Sequence, residues 1–164
     1  MDRLNNLDDL FTHELKDLYS AEQQILKALH EMAQATKHAE LRTAFEEHEA
    51  MTREQVKRLD LIADELGVEI TGHKCKGMEG IIKEGKEVIA ANADDSARDA
   101  ALIGAAQRVE HYEIAGYGCA RTYAHMLGLN EQAEVLQRTL DEEGDTDEKL
   151  TDLAESVVNI DALK

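Results

Sequence analysis

Six residues of this 164-residue chain carry side chains that could do chemistry from within helical stripes: Glu22, His48, Glu110, Glu113, Glu143 and Asp147. Each stands where its apolar neighbours set the spacing. Glu22 lies beside Leu18, Ala21 and Ile25. His48 follows Phe45 and precedes Val56, and Gln55 shares that stripe. Glu113 falls between Val109 and Tyr117, with Glu110 one turn earlier, and Glu143 and Asp147 fall between Leu140 and Leu150. Burying an unpaired carboxylate costs several kcal/mol, and several facing one another repel. A bound cation removes both problems. Oxygen-rich sites hold divalent iron or manganese, so the pattern points to metal binding.

Taken singly, each residue has a plainer reading. A Glu at a stripe edge keeps its head in water. His48 reads as a core histidine bonded to a backbone carbonyl, Glu110 with Glu113 as a solvated i,i+3 pair, and Glu142 and Glu143 as surface. Tyr19 and Tyr117 read as core, with a hydrogen bond to the carboxylates as the other reading. The shared level favours a common site. Glu22 and Glu113 each lie about fifteen residues before a link between helices, and Glu143 about fourteen after one. The interval from Glu22 to Glu113 is 91 residues and that from position 51 to Glu143 is 92, a weak internal echo of two related helix pairs.

Apolar residues recur at steps of three and four, the signature of a helix face. The first run goes from Leu4 through Phe11, Leu18 and Ile25 to Met32; the second from Leu41 to Leu66, where Gly67 stops it. The third goes from Leu102 to Leu127, ended by Gly128, and the fourth from Leu136 to Val157. The spacing predicts long helices over 4–36, 39–66, 96–127 and 130–159, each about 30 residues or roughly 45 Å. Asp95 or Ser96 is the expected cap of the third and Asn130 of the fourth. Residues 67–79, with Gly67, Gly72 and Gly77, read as a loop, and 78–91 as a short amphipathic helix. Short links make each pair antiparallel. The expected fold is all-α: a ferritin-like antiparallel four-helix bundle, one domain over 1–164, with a long crossover carrying the short helix.

Composition narrows the function classes. There is no proline, where average usage supplies roughly eight, which suits uninterrupted helices. Few aromatics argue against sandwiches and barrels. A net charge of −17, from 35 acids against 18 bases, leaves no basic face for nucleic acid and disfavours anionic lipid. The longest apolar stretch, 100–106, is far short of a membrane span, and the N-terminal string MDRLNNLDDLFTHEL shows no secretory leader. Cys75 and Cys119 form no CxxC. They suit reduced thiols in the cytoplasm, with a single disulfide left open.

The strings HELKDLYSAEQQILKAL (13–29), CKGMEGIIKEGKEVI (75–89), DAALIGAAQRVEHYEIAGYG (99–118) and LTDLA (150–154) resemble the YciE/YciF stress-protein family of ferritin-like bundles, over nearly the whole chain. The resemblance implies a rubrerythrin-related bundle, usually dimeric through helix faces, tied to bacterial stress. It also implies a dinuclear metal centre, with iron expected and manganese the alternative. Glu22, His48, Glu110, Glu113, Glu143 and Asp147 match positions where the family carries polar residues.

Two departures bear on the site. Where the family has an acid in a HxxET-like string, this chain reads HEAMT, with Met51 at that position; a thioether is a poor ligand for hard iron or manganese. His48, Glu47 or Glu54 would have to substitute. Ferritin-like di-iron proteins use Glu-x-x-His on two helices, and none of the seven histidines here has Glu three residues before it. A carboxylate-rich, histidine-poor site would bind metal more weakly, or one ion rather than two. The expected function is therefore a metal-binding stress protein reacting with peroxide or dioxygen. The alternative is a non-enzymatic dimeric bundle with a vestigial or empty site. Nothing in the chain identifies the extra contacts of a closed iron-storage cage.

Overall fold

The computed structural model describes residues 4–164; the first three residues of the expected domain and of the N-terminal string lie outside them. Five principal helices follow in order: α1 (Leu7–Ala35), α2 (Ala39–Leu66), α3 (Lys76–Ala90), α4 (Asp95–Met126) and α5 (Asn130–Leu153). A single π-helical turn, Ala154–Val158, and a last short helix, α6 (Asn159–Asp161), close the chain. No strand occurs among the described residues.

Local chemistry sets the ends. Asn6 caps α1 by accepting from the Asp9 N–H at 2.8 Å. Gly67 ends α2 at φ +64°, a left-handed conformation that glycine adopts without steric cost. Two expected caps differ. α4 begins after Asp94 and α5 after Leu129, neither with a side-chain cap bond, so Asp95, Ser96 and Asn130 are already inside their helices. α3 starts earlier than the glycines suggested, because the Cys75 thiol accepts from the Met78 N–H at 3.3 Å and so caps it. The π turn is the other difference. It takes up one more residue per turn than an α-helix, so Val158 rather than Val157 returns to the core.

Three-residue links at 36–38 and 127–129 fold α1 on α2 and α4 on α5. The end of α1 meets the start of α4 through Thr36 and Asp99, so these two run antiparallel. Glu47 of α2 pairs with Lys149 of α5, and Glu65 with Gln132, so those also run antiparallel. It follows that α2 and α4 point the same way, joined by the crossover that holds α3 against α1 and α4.

The core divides in two. One apolar cluster gathers Ile25, Leu29, Leu41, Phe45, Leu102, Val109 and Leu150 with their neighbours. The other gathers Leu15, Leu18, Leu59, Ile62, Tyr117 and Leu136. Between the clusters every long helix turns polar at the same height: Glu22 on α1, His48 to Gln55 on α2, Glu110 and Glu113 on α4, and Glu143 on α5. Close packing there needs small residues. A Cβ on Gly116 would stand 2.8 Å from Cδ2 of the buried Leu18, so the end of that side chain would have to shift to admit one.

Candidate metal centre

Glu22, Glu110, Glu113 and Glu143 are fully buried, and His48 nearly so. The His48 ring lies between two helices' acids: Nδ1 is 3.3 Å from Glu110 Oε1, and Nε2 is 3.7 Å from Glu143 Oε2. His48, Glu110, Glu113 and Glu143 each offer one donor atom, and these four atoms lie within 4.8 Å of one another. Glu22 faces the group from α1, with one oxygen held by the Tyr117 hydroxyl. Tyr117 is thus both buried core and a hydrogen-bond donor to the acid layer, combining the two readings that its sequence position left open.

Many polar atoms of the layer have no hydrogen-bond partner. Both oxygens of Glu110, both of Glu113, Oε2 of Glu22 and Glu143, and His48 Nε2 make no hydrogen bond among the described residues. Burial, then the Glu143 charge, pushes the Glu22 carboxyl up to about 8, against the opposing Tyr117 hydrogen bond. Burial and then Glu143 also drive Glu110 and Glu113 well above the ordinary carboxylate range. Orphaned buried polar atoms are rare and call for a ligand or an ion. Carboxylate oxygens with one imidazole nitrogen suit a first-row divalent cation, so the residues present fit the metal that the pattern suggested.

α2 meets α5 through a second group at the layer's edge. Gln55, fully buried, donates to Glu143 Oε1 at 2.5 Å and to Glu142 Oε2 at 3.2 Å. Arg58 grips Glu142 through two N–H groups at 2.7 and 2.8 Å. Burial alone would raise Glu142, but the hydrogen bonds from Arg58 and Gln55 hold it below its usual value. Glu142 is therefore half-buried and paired, rather than a free surface acid. Asp147, one turn beyond Glu143, is not among the four clustered donors. Its carboxylate is 23% exposed, accepts from Gln107 at 3.1 Å and lies 3.3 Å from His111. Glu47 and Glu54, considered as substitutes for the absent acid on α2, pair at the surface with Lys149 and Lys57. Met51 is only partly buried.

Two polar groups away from the layer escaped sequence reading. Asp99 is buried and accepts from the Thr36 hydroxyl at 2.7 Å and from the N–H groups of Lys37 and His38. It clasps the α1–α2 link, and its only sequence signal is an acid in the first turns of α4. Asp17 accepts from the Tyr112 hydroxyl at 2.7 Å and the Cys75 thiol at 3.1 Å, with His73 3.0 Å away. Burial raises Asp17, but these hydrogen bonds outweigh it and lower its pKa. That network ties the crossover to α1 and α4. Cys75 and Cys119 are both free thiols.

The family described as Domain of unknown function (DUF892) matches residues 6–163. Protein YciF of Escherichia coli strain K12 is 46% identical over 157 residues, covering 95% of each chain. The crystal structure of that protein, called a stress protein, superposes with a TM-score of 0.92 over 95% of this chain and 99% of YciF. YcfI from Rhodopseudomonas palustris, described as structural, is 38% identical with a TM-score of 0.87, over 90% of this chain and 94% of its own. A Xanthomonas campestris protein at 22% identity shares the fold, with a TM-score of 0.75 over 93% of this chain and 94% of its own. The chain belongs to the DUF892 family, with E. coli YciF as a relative along nearly its whole length.

Proposed function

We propose that this protein is a ferritin-like bundle of the bacterial stress response that binds iron, or manganese in its place, within its core. The observation that carries the reading is the buried layer of orphaned carboxylates closed by His48. The ferritin-like topology is supported by two antiparallel hairpins and a crossover that leaves α2 and α4 parallel. The stress context rests on the description of YciF.

His48, Glu110, Glu113 and Glu143 would hold the ion, with Glu22 beside them and Asp147 at the margin. When bound, a redox-active metal supplies electron transfer to peroxide or dioxygen. The chain's own residues do the rest. The two apolar clusters exclude water above and below the layer. Tyr117 orients Glu22, and Gln55 orients Glu143. No helix among the described residues is long and apolar enough to cross a membrane, and free thiols suit a reducing cytoplasm. Pairing with a second copy through helix faces rests on the family resemblance.

The test is elemental analysis after purification without chelators and exposure to excess Fe(II) or Mn(II). The protein should retain metal, and the Glu113→Ala, Glu143→Ala double variant should not. A wild-type protein that stays empty sinks the reading. It would leave the second one, a non-enzymatic bundle, which Met51 and the outward pairing of Asp147 favour.

A further inference from the structure

We infer that Gln55 is a further ligand of the cation through its side-chain carbonyl oxygen, and that Arg58, acting through Glu142, is the positioning residue that turns this oxygen to the acid layer. The inference rests on the metal-binding reading above and deepens it.

The neighbours of the Gln55 amide fix its orientation. A side-chain amide carries a donor NH2 on one side and an acceptor oxygen on the other, and its surroundings decide which way it faces. Gln55 Nε2 stands 2.5 Å from Glu143 Oε1 and 3.2 Å from Glu142 Oε2. Arg58 donates to both oxygens of Glu142, at 2.7 and 2.8 Å, and is itself braced by the Thr139 hydroxyl at 3.0 Å. A carboxylate paired in this fork is ionised and only accepts hydrogen bonds. The group facing it must be the NH2, because a flipped amide would set oxygen against oxygen.

With its NH2 committed to two carboxylates, Gln55 has its carbonyl oxygen left over. The residue is fully buried, and Oε1 makes no hydrogen bond among the described residues. Amide geometry holds Oε1 about 2.2 Å from Nε2, so it lies within about 4.7 Å of Glu143 Oε1. The other oxygen of that carboxylate is 3.7 Å from His48 Nε2. Gln55 and His48, two turns apart on α2, thus converge on one carboxylate of the cluster.

The unpartnered oxygens around the layer share one need. Gln55 Oε1, both oxygens of Glu110 and of Glu113, and Oε2 of Glu22 and Glu143 all lack a donor. A cation answers an amide carbonyl and a carboxylate alike, and carbonyl oxygens suit Mn(II). The carbonyl also adds a ligand without adding a negative charge to a layer already rich in acids. It gives α2 an oxygen ligand on the helix where Met51 offers only a thioether.

The test joins a structure to an affinity cycle, both on the full chain. A crystal structure of Mn(II)-loaded protein, with the ion located by anomalous scattering, should show Gln55 Oε1 bonded to it. An ion held by other residues, with Gln55 Oε1 outside its coordination shell, would overturn the inference and leave the metal-binding reading standing. A chain that takes up no Mn(II) would overturn both. In solution, Mn(II) affinity read by electron paramagnetic resonance should fall at least about tenfold in Gln55→Leu, with helix content checked by circular dichroism. Arg58→Met should also weaken binding, but should add little in the Gln55→Leu background, since its effect passes through the amide. Arg58→Lys, which can still pair with Glu142, should recover part of the loss. Unchanged affinity in a folded Gln55→Leu would overturn the ligand role, and fully additive losses would overturn the positioning role of Arg58. Should Gln55→Leu fail to fold, the coordination shell of the wild-type protein decides by itself.

Discussion

The unusual residues of this protein are its buried acids, whose charge the protein itself leaves uncompensated. Glu22 binds its proton up to about pH 8, because burial and then Glu143 disfavour the anion. In the unfolded chain it titrates near the ordinary value of 4.5. Between these values the folded state holds a proton that the unfolded state has released. A raised carboxyl of this kind contributes stability that is complete below the unfolded pKa and is lost as pH rises through the folded one. Glu110 and Glu113 shift in the same direction. Metal-free protein kept in chelator should therefore melt at progressively lower temperature from pH 5 to pH 8, by up to about 1.4 kcal/mol per pH unit for each such group. Glu110→Gln removes one uncompensated acid. It should raise the melting temperature of the metal-free protein at pH 8 and change it little at pH 5, where Glu110 is already protonated. Scanning calorimetry at the two pH values checks both expectations.

At the scale of the element, the helices meet the layer through clasps and close approaches. Asp99 answers three donors at the α1–α2 link, two of them backbone N–H groups that the short turn would otherwise leave without a partner. Hydrogen bonds to a charged group are worth about 1.5–3 kcal/mol each, and their losses overlap. Asp99→Ala should thus cost about 3 kcal/mol in urea unfolding, with no change in metal stoichiometry, since the link lies far along α1 from Glu22. Gly116 acts differently. A methyl group there meets Leu18 at 2.8 Å, one turn from Glu22 on α1 and from Glu113 on α4. Gly116→Ala should destabilise by about 1–3 kcal/mol through overpacking. Unlike Asp99→Ala, it should also weaken Mn(II) affinity, because the Leu18 side chain it displaces packs one turn from Glu22; calorimetric titration distinguishes the two variants.

At the scale of the whole molecule, net charge governs behaviour. A charge of −17 on 164 residues places most of the acids in water, and residues 131–164 alone carry eleven acids against three bases. Self-repulsion of this size destabilises the compact state and is screened by salt over a Debye length of about 10 Å at 0.1 M. Raising NaCl from 10 mM to 0.5 M should increase the melting temperature of the metal-free protein by several degrees. The buried acids, shielded from the ions, should respond little, so the pH dependence of the core should persist at high salt. The two acid populations are then separable by experiment: one responds to salt, the other to pH and metal.

The sequence by itself determined the helical class and the inward faces. A period of three to four residues sets the angle at which each side chain leaves its helix, and short links with Gly67 and Gly128 set which helices are paired. Distance along those helices brought Glu22, Glu113 and Glu143 to one height. Only the tertiary structure decided what each oxygen faces. Tyr117 reaches Glu22 across 95 residues of chain, and Gln55 reaches Glu143 across 88. Helical periodicity contains no information about such pairs, because it describes one helix at a time. It places Asp147 on the same stripe as Glu143, yet one further turn of α5 brings Asp147 to Gln107 and His111 at the rim. The π turn shows the same limit, since a single extra residue moved the core position from Val157 to Val158. Sequence thus identified the faces that turn inward, and packing between helices selected the partners on them.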